Sequence, residues 1–221
     1  MPDAKLALVL GGGGNLRVVQ VAFIEALQAP GIEPDLAVGT SVGALNASYV
    51  AFHHPGEEVE CLERAWLALR GQRMFHRNPF RIGRHLLRNR ISLYDDEFVS
   101  NLLASHLEAG DFDAARVPLL ITASNISRGS AAVFAEGSIH QAVLASTAIP
   151  GIFPPVQIDG DWYVDGGIAH GLGVEVTVEA GAGVVLAIDL SSGMAPQTQQ
   201  RRGVLDPVAR DHGATSQRVP A

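Results

Sequence analysis

An α/β fold built around a parallel sheet is what the order of elements predicts for this 221-residue chain. Two glycine-rich turns carry the prediction. The apolar run at residues 5–10 ends in four glycines and is followed by a helical period. Residues 35–39 then run into Thr40-Ser41-Val42-Gly43 and a second helical period. A third observation is that the later strand candidates are short, nearly all-apolar runs set between helical stretches. Strand, tight turn and helix repeated in this way describe a parallel sheet with helices packed on it.

Taken in order, residues 5–10 read as a buried strand. Residues 16–28 read as a helix carrying Leu16, Val19, Phe23, Ala26 and Leu27 at helical spacing, stopped by Pro30-Gly31. Residues 35–39 form the second strand, and the alanine-rich stretch 41–52 the helix after it. Residues 57–69 place Val59, Leu62, Trp66 and Leu69 on one helical face, and 95–108 is a further helix. Strands follow at 117–124 and 131–134, and then a helix at 139–146 that stops near Pro150. Strands at 162–164 and 184–190 flank a last helix ending at Gly181.

From residue 191 onward Pro, Gly, Gln, Ser and Arg dominate and apolar periodicity is lost. The expected organisation is one domain over 1–190 and a disordered or loosely attached tail over 191–221. There is no internal repeat. With 47% hydrophobic and 18% charged residues, one domain of this size buries its core without covalent staples.

The net charge of −7 argues against a nucleic-acid partner, because a phosphate backbone would be repelled and no basic stripe dominates. Residues 70–90 are the local exception, rich in arginine and without an acid. Met74, Phe75, Phe80, Leu86 and Leu87 are interspersed there. The segment reads as a solvated cationic face or as a surface meeting anionic lipid headgroups. Cys61 is the only cysteine, so no intrachain disulfide forms. The apolar run at 6–10 is too short for a signal peptide, and no stretch approaches the ~20 apolar residues of a membrane span. A soluble, cytoplasmic protein is expected, with peripheral membrane contact open.

The strongest chemical signal is Gly39-Thr40-Ser41-Val42-Gly43, a G-x-S-x-G sequence between a strand and a helix, the context a nucleophile elbow requires. The alternative is a glycine-rich turn with a capping serine. Only one strand candidate precedes the elbow strand, which argues against the α/β-hydrolase fold. The second signal is the glycine run 11–14, whose backbone N–H groups at a helix start suit an anion. No G-K-[ST] follows, so it is not a Walker A loop. Arg17 stands where a dinucleotide loop has its last glycine. A donor set for an oxyanion fits the same loop. The third signal is Val164-Asp165-Gly166-Gly167, after Ala145-Ser146-Thr147-Ala148-Ile149-Pro150 and Phe153-Pro154-Pro155.

Taken together, these motifs resemble the patatin-like phospholipase family over roughly residues 6–190. That resemblance implies a three-layer α/β/α fold with a mainly parallel central sheet. It implies Ser41 as nucleophile, Asp165 as base, and Gly12, Gly13 and Gly14 as oxyanion donors. It also implies a lipid or acyl-ester substrate, cleaved without metal or cofactor. An apolar pocket lined by residues such as Leu45, Ile149 and Phe153 would suit an acyl chain.

The chain departs from the family pattern at Ala22, where the family often has glycine, and in two of the motifs. Leu16 and Arg17 replace the basic residue and glycine of the usual G-G-G-x-[RK]-G loop. His170-Gly171-Leu172-Gly173 replaces the usual Asn-x-x-Pro. These changes keep open a catalytically weak domain that binds acyl lipids or a protein partner. His170 is read as packing or capping near the next helix rather than as a third catalytic member. His53, His54 and His76 lack the company a metal site needs.

Overall fold

The computed structural model describes residues 4–13, 17–71, 110–169 and 171–190. The expected helix at 95–108, the arginine-rich segment beyond residue 71 and the tail 191–221 lie outside the described residues.

Along the chain run β1 (Leu6–Leu10), α1 (Arg17–Gln28), β2 (Leu36–Thr40), α2 (Val42–Phe52) and α3 (Glu57–Gly71). A 3-10 turn at Phe112–Ala114 precedes β3 (Leu119–Asn125), β4 (Ser130–Phe134) and α4 (Ile139–Thr147). Then come β5 (Val156–Ile158), β6 (Asp161–Asp165), a 3-10 turn at Gly166–Ile168, α5 (Val174–Glu179) and β7 (Val184–Ile188).

All seven strands join one sheet. Its parallel part runs β7-β1-β2-β3, while β4 and β6 pair antiparallel with β3 and β5 pairs antiparallel with β6. Parallel strands need both faces covered, and the side chains alternate accordingly. Leu8, Leu10, Ala37, Leu119 and Ile121 join α1, α2, α3 and α4 in the larger core. Ala7, Val9, Leu36 and Val38 point the other way, towards Leu172 and Ala182 on either side of α5. Helices therefore lie on both faces, giving the expected α/β/α layering. Each fully buried aliphatic side chain contributes about 1.5–3 kcal/mol, and the larger core holds most of them.

The meeting of β2 and β6 is the topological feature that matters most. β2 pairs with β3 from Leu119 to Thr122, and β6 continues from Ala123 to Asn125. β4 overlaps both stretches, so it must occupy the opposite edge of β3. β2 and β6 therefore share one edge of β3 and run towards each other, with their C-terminal ends at consecutive β3 positions.

Two expectations need correcting. α1 buries Gln20, Val21 and Ile24, while Val19 is half exposed and Ala26 faces solvent. The helix is rotated from the face that apolar spacing indicates because a glutamine is satisfied inside. β5 was not anticipated: it forms a hairpin with β6 across Asp159-Gly160, whose φ values of 50° and 88° are both positive. That backbone matches the twist of a two-residue hairpin turn. Elsewhere the differences are boundary shifts of one or two residues, as at β3, which begins at Leu119 rather than 117.

Candidate active site

Ser41 stands where β2 leaves the sheet, with φ 56° and ψ −126°. A non-glycine residue in such a region costs about 1–3 kcal/mol and persists only where its surroundings hold it. Here the Ser41 N–H donates to Ser146 Oγ at 2.8 Å, and the Ser41 carbonyl accepts from the Ala44 N–H at 2.9 Å. The flanking glycines are a steric requirement. A Cβ on Gly39 would overlap the backbone of Ala44, and one on Gly43 would run into the Leu10 carbonyl and come within 2.6 Å of the Gly11 oxygen. α2 can therefore start hard against the end of β1.

Asp165 ends β6 and is buried, 7% exposed. Its N–H donates to the Ala148 carbonyl at 3.0 Å, and its carbonyl accepts from Ser124 Oγ at 2.8 Å. Gly166 passes so close to Thr122 that a Cβ there would lie 2.5 Å from the Thr122 carbonyl oxygen. Both carboxylate oxygens are used: Oδ1 accepts from the Gly167 N–H at 2.8 Å, and Oδ2 from Ser41 Oγ at 2.5 Å. Burial raises the carboxyl's pKa above the ordinary aspartate value, against the opposing pull of the Ser41 and Gly167 hydrogen bonds. A serine hydroxyl bonded to a carboxylate of raised proton affinity can pass its proton there as its oxygen attacks an electrophile.

Ser41 and Asp165 are thus brought together from residues 124 positions apart. Gly12 also sits at the pair: a Cβ built on it would be 3.4 Å from Ser41 Cβ and 3.9 Å from Ser41 Oγ. Gly13 packs against Leu190 with no room for a side chain. Neither glycine's amide is hydrogen-bonded to any described residue, whereas the Gly11 N–H is committed to the Ile188 carbonyl at 3.1 Å. Gly14, Leu16 and His170 lie outside the described residues, and so does the side chain of Arg17. Leu45 is buried in the larger core, while Phe153 and Ile149 sit nearer the surface. Among the described residues no group of three or more His, Cys, Asp or Glu could hold a metal ion. No described helix is long and apolar enough to cross a membrane.

Sequence reasoning missed Ser146, which anchors the Ser41 amide, and Gln20, whose side chain binds the glycine loop. Ser146 lies within the stretch that carried part of the family resemblance, but nothing local gave it a role. A glutamine inside an otherwise apolar helical face was the available signal for Gln20.

A largely parallel sheet with a strained serine at one strand exit, bonded to a buried aspartate, defines the class: an α/β protein with a Ser–Asp pair at a strand-to-helix turn. The chain belongs to the patatin-like phospholipase family, whose family model matches residues 8–178. It is 26% identical over 189 residues to patatin-like phospholipase domain-containing protein 7 of Mus musculus, covering 85% of this chain and 14% of that protein. It is also 26% identical over 209 residues to an uncharacterized NTE family protein of Mycobacterium tuberculosis, covering 95% of this chain and 34% of that protein. A lysophospholipase of Aspergillus terreus is 28% identical over 190 residues, covering 85% of this chain and 12% of that protein. The chain thus spans about a third or less of these relatives. Among solved structures, VipD from Legionella pneumophila superposes with a TM-score of 0.51 at 18% identity, covering 76% of this chain and 47% of that one. This likeness concerns the fold.

Proposed function

We propose that this chain is a lipid acyl-ester hydrolase that works through an acyl-enzyme at Ser41, with Asp165 as its base. The observation that carries the reading is the 2.5 Å hydrogen bond from Ser41 Oγ to Asp165 Oδ2 at a strained strand exit. Family membership and the lysophospholipase name of one relative support a lipid ester as the substrate class.

In the first half-reaction Ser41 Oγ attacks the ester carbonyl carbon and its proton moves to Asp165. The carbonyl oxygen becomes an oxyanion that accepts from the N–H groups of Gly12 and Gly13, with Gly14 as the third proposed donor. Collapse breaks the bond to the leaving alcohol, which departs with the proton from Asp165. In the second half, water attacks the acyl carbonyl and gives its proton to Asp165. Ser41 leaves, takes that proton back, and the fatty acid is released. A carboxylate is a weak base for this task, so its raised proton affinity and the oxyanion donors share the work. A cytoplasmic location and contact of residues 70–90 with anionic lipid belong to the same proposal. Binding to liposomes that strengthens with anionic lipid content is the expected result there.

The experiment is hydrolysis of p-nitrophenyl esters of graded chain length, with fluorophosphonate labelling in parallel, for wild type, Ser41→Ala and Asp165→Ala. Turnover and labelling in wild type alone are expected. Hydrolysis that survives Ser41→Ala refutes the reading. Inactivity of a folded wild type in both assays favours the weakly catalytic binding domain instead.

A further inference from the structure

Three polar side chains run through the larger core in single file. Trp66 Nε1, on α3, donates to Asn46 Oδ1 at 3.1 Å. Asn46 Nδ2, on α2, donates to Gln20 Oε1 at 2.8 Å. Gln20 Nε2, on α1, donates to the Gly11 carbonyl at 2.7 Å. Gln20 and Asn46 are fully buried and Trp66 nearly so. Burying two amides costs several kcal/mol unless they are paired, and an apolar core would have filled the same volume.

The direction of the relay is fixed at both ends. An indole N–H only donates and a backbone carbonyl only accepts. Asn46 must therefore turn its oxygen to Trp66 and its nitrogen to Gln20, and Gln20 must turn its nitrogen to Gly11. Neither amide can flip without setting two like groups against each other.

At the loop end, the Gly11 carbonyl shares a peptide plane with the Gly12 N–H. The described peptide bonds are all trans, so that carbonyl and that N–H point in opposite directions. Gln20 holds one end of the plane on the helix side, and Gly12 lies beside the Ser41 side chain. The Gly11 N–H, in the preceding peptide plane, is also tied, to β7, so the two planes that meet at the Gly11 α-carbon are each held.

Resting on the dyad reading above, we propose that Gln20 is a positioning residue for the oxyanion loop. Oriented by Asn46 and Trp66, it fixes the Gly11–Gly12 peptide so that the Gly12 N–H faces the oxygen of the tetrahedral intermediate. Gln20 touches neither substrate nor reacting atoms. It acts through the peptide it holds, and the glycine loop is thereby coupled to three helices at once. Gly11 and Gly12 have no side chains to anchor them, so the loop depends on an outside group for its orientation.

The test uses the full 221-residue chain with Gln20→Met, close in volume and without the amide, and Asn46→Asp. In the second variant the carboxylate still accepts from Trp66 but also draws the Gln20 nitrogen towards itself. That turns Gln20's oxygen onto the Gly11 carbonyl. For both, kcat on a p-nitrophenyl ester should fall about 100-fold, the scale of losing one oxyanion donor, with KM within about twofold. The Gly12 amide resonance, followed by selective 15N-glycine labelling, should move in both variants while most other glycine resonances stay. Unchanged kcat beside a moved Gly12 resonance, or an unmoved Gly12 resonance in either variant, overturns the proposal. A general loss of resonances in Gln20→Met would mark misfolding, and Asn46→Asp then decides alone. If wild type shows no Ser41-dependent turnover, the dyad reading fails, and the Gly12 resonance still decides whether Gln20 orients the loop.

Discussion

The backbone N–H of Ser41 is held by the side chain of Ser146, its Oγ 2.8 Å away on α4. Ser41 thus makes two separate commitments: its hydroxyl to Asp165 and its amide to a fully buried serine from a different helix. The first belongs to the proposed chemistry. The second keeps the residue in a backbone region it would otherwise leave.

Ser146→Ala should therefore damage the site in two measurable ways. The Ser41 N–H loses its acceptor in a buried setting, which costs about 1–3 kcal/mol and should appear as a lower urea midpoint. Release of the strained backbone should also slow fluorophosphonate labelling of Ser41 by about 10- to 100-fold, since small misplacements of a reacting atom have effects of that size. Equal labelling rates in the two proteins would remove Ser146 from the account of the site.

The glycines of the elbow make a second prediction, about stability alone. In Gly43→Ala the new methyl meets the Leu10 and Gly11 backbone, which cannot step aside as a flexible side chain can. A loss of about 2–3 kcal/mol, at the upper end for overpacking, is expected by chemical denaturation. Gly171→Ala is the contrast, because no described residue lies within 4 Å of a Cβ there and its φ is not positive. It should fall within about 0.5 kcal/mol of wild type. Similar losses in both would mean that crowding against β1 is not what requires glycine at 43.

The sequence made the central strands legible because a strand buried on both faces reads as an unbroken apolar run, as at Leu6–Leu10. The elbow was legible for a steric reason: only glycine fits where Gly39 and Gly43 meet neighbouring backbone. Nothing local in the sequence brings Asp165 to Ser41. That meeting depends on Thr40 and Asp165 facing consecutive residues of β3, Thr122 and Ala123, a register set by tertiary packing. The buried face of α1 escaped for a related reason. Apolar spacing favours Val19 and Ala26, and it has no means of anticipating a glutamine whose amide is satisfied by Asn46 and Gly11. The β5–β6 hairpin had a local signal in Asp159-Gly160, but its three-residue strand is too short to stand out as a period.

On the proposed mechanism, the raised proton affinity of Asp165 should set the acid side of the pH–rate profile. If Asp165 is the base proposed above, it must be ionised to accept the Ser41 proton, and activity should fall as pH drops through the carboxyl's pKa. Burial holds that pKa above the ordinary aspartate value. The acid limb of kcat/KM should accordingly lie higher than that of an ordinary aspartate, with a slope of one proton. A limb at the pKa of an unperturbed aspartate would mean that the carboxylate is not acting as a buried base.

The same carboxyl should cost the fold stability. With its native pKa raised, Asp165 binds its proton more tightly in the folded chain than in the unfolded one. Folding is then least penalised below the unfolded pKa, and it loses ground as pH rises through the window up to the native pKa. Asp165→Asn carries no such proton. It keeps an oxygen for the Gly167 N–H and exchanges the other for an amide that can donate to Ser41 Oγ. The variant should therefore melt higher than wild type near neutral pH, by about 2–4 °C for each kcal/mol recovered in a chain of this size. The gap should close as pH falls below the window, where wild type is protonated in both states. A gain in stability together with loss of activity would be the trade-off expected if Asp165 holds the proposed catalytic role. Differential scanning calorimetry of the two proteins across that range decides it. An Asp165→Asn variant less stable than wild type at neutral pH would show that the Ser41 and Gly167 hydrogen bonds outweigh the burial of the charge.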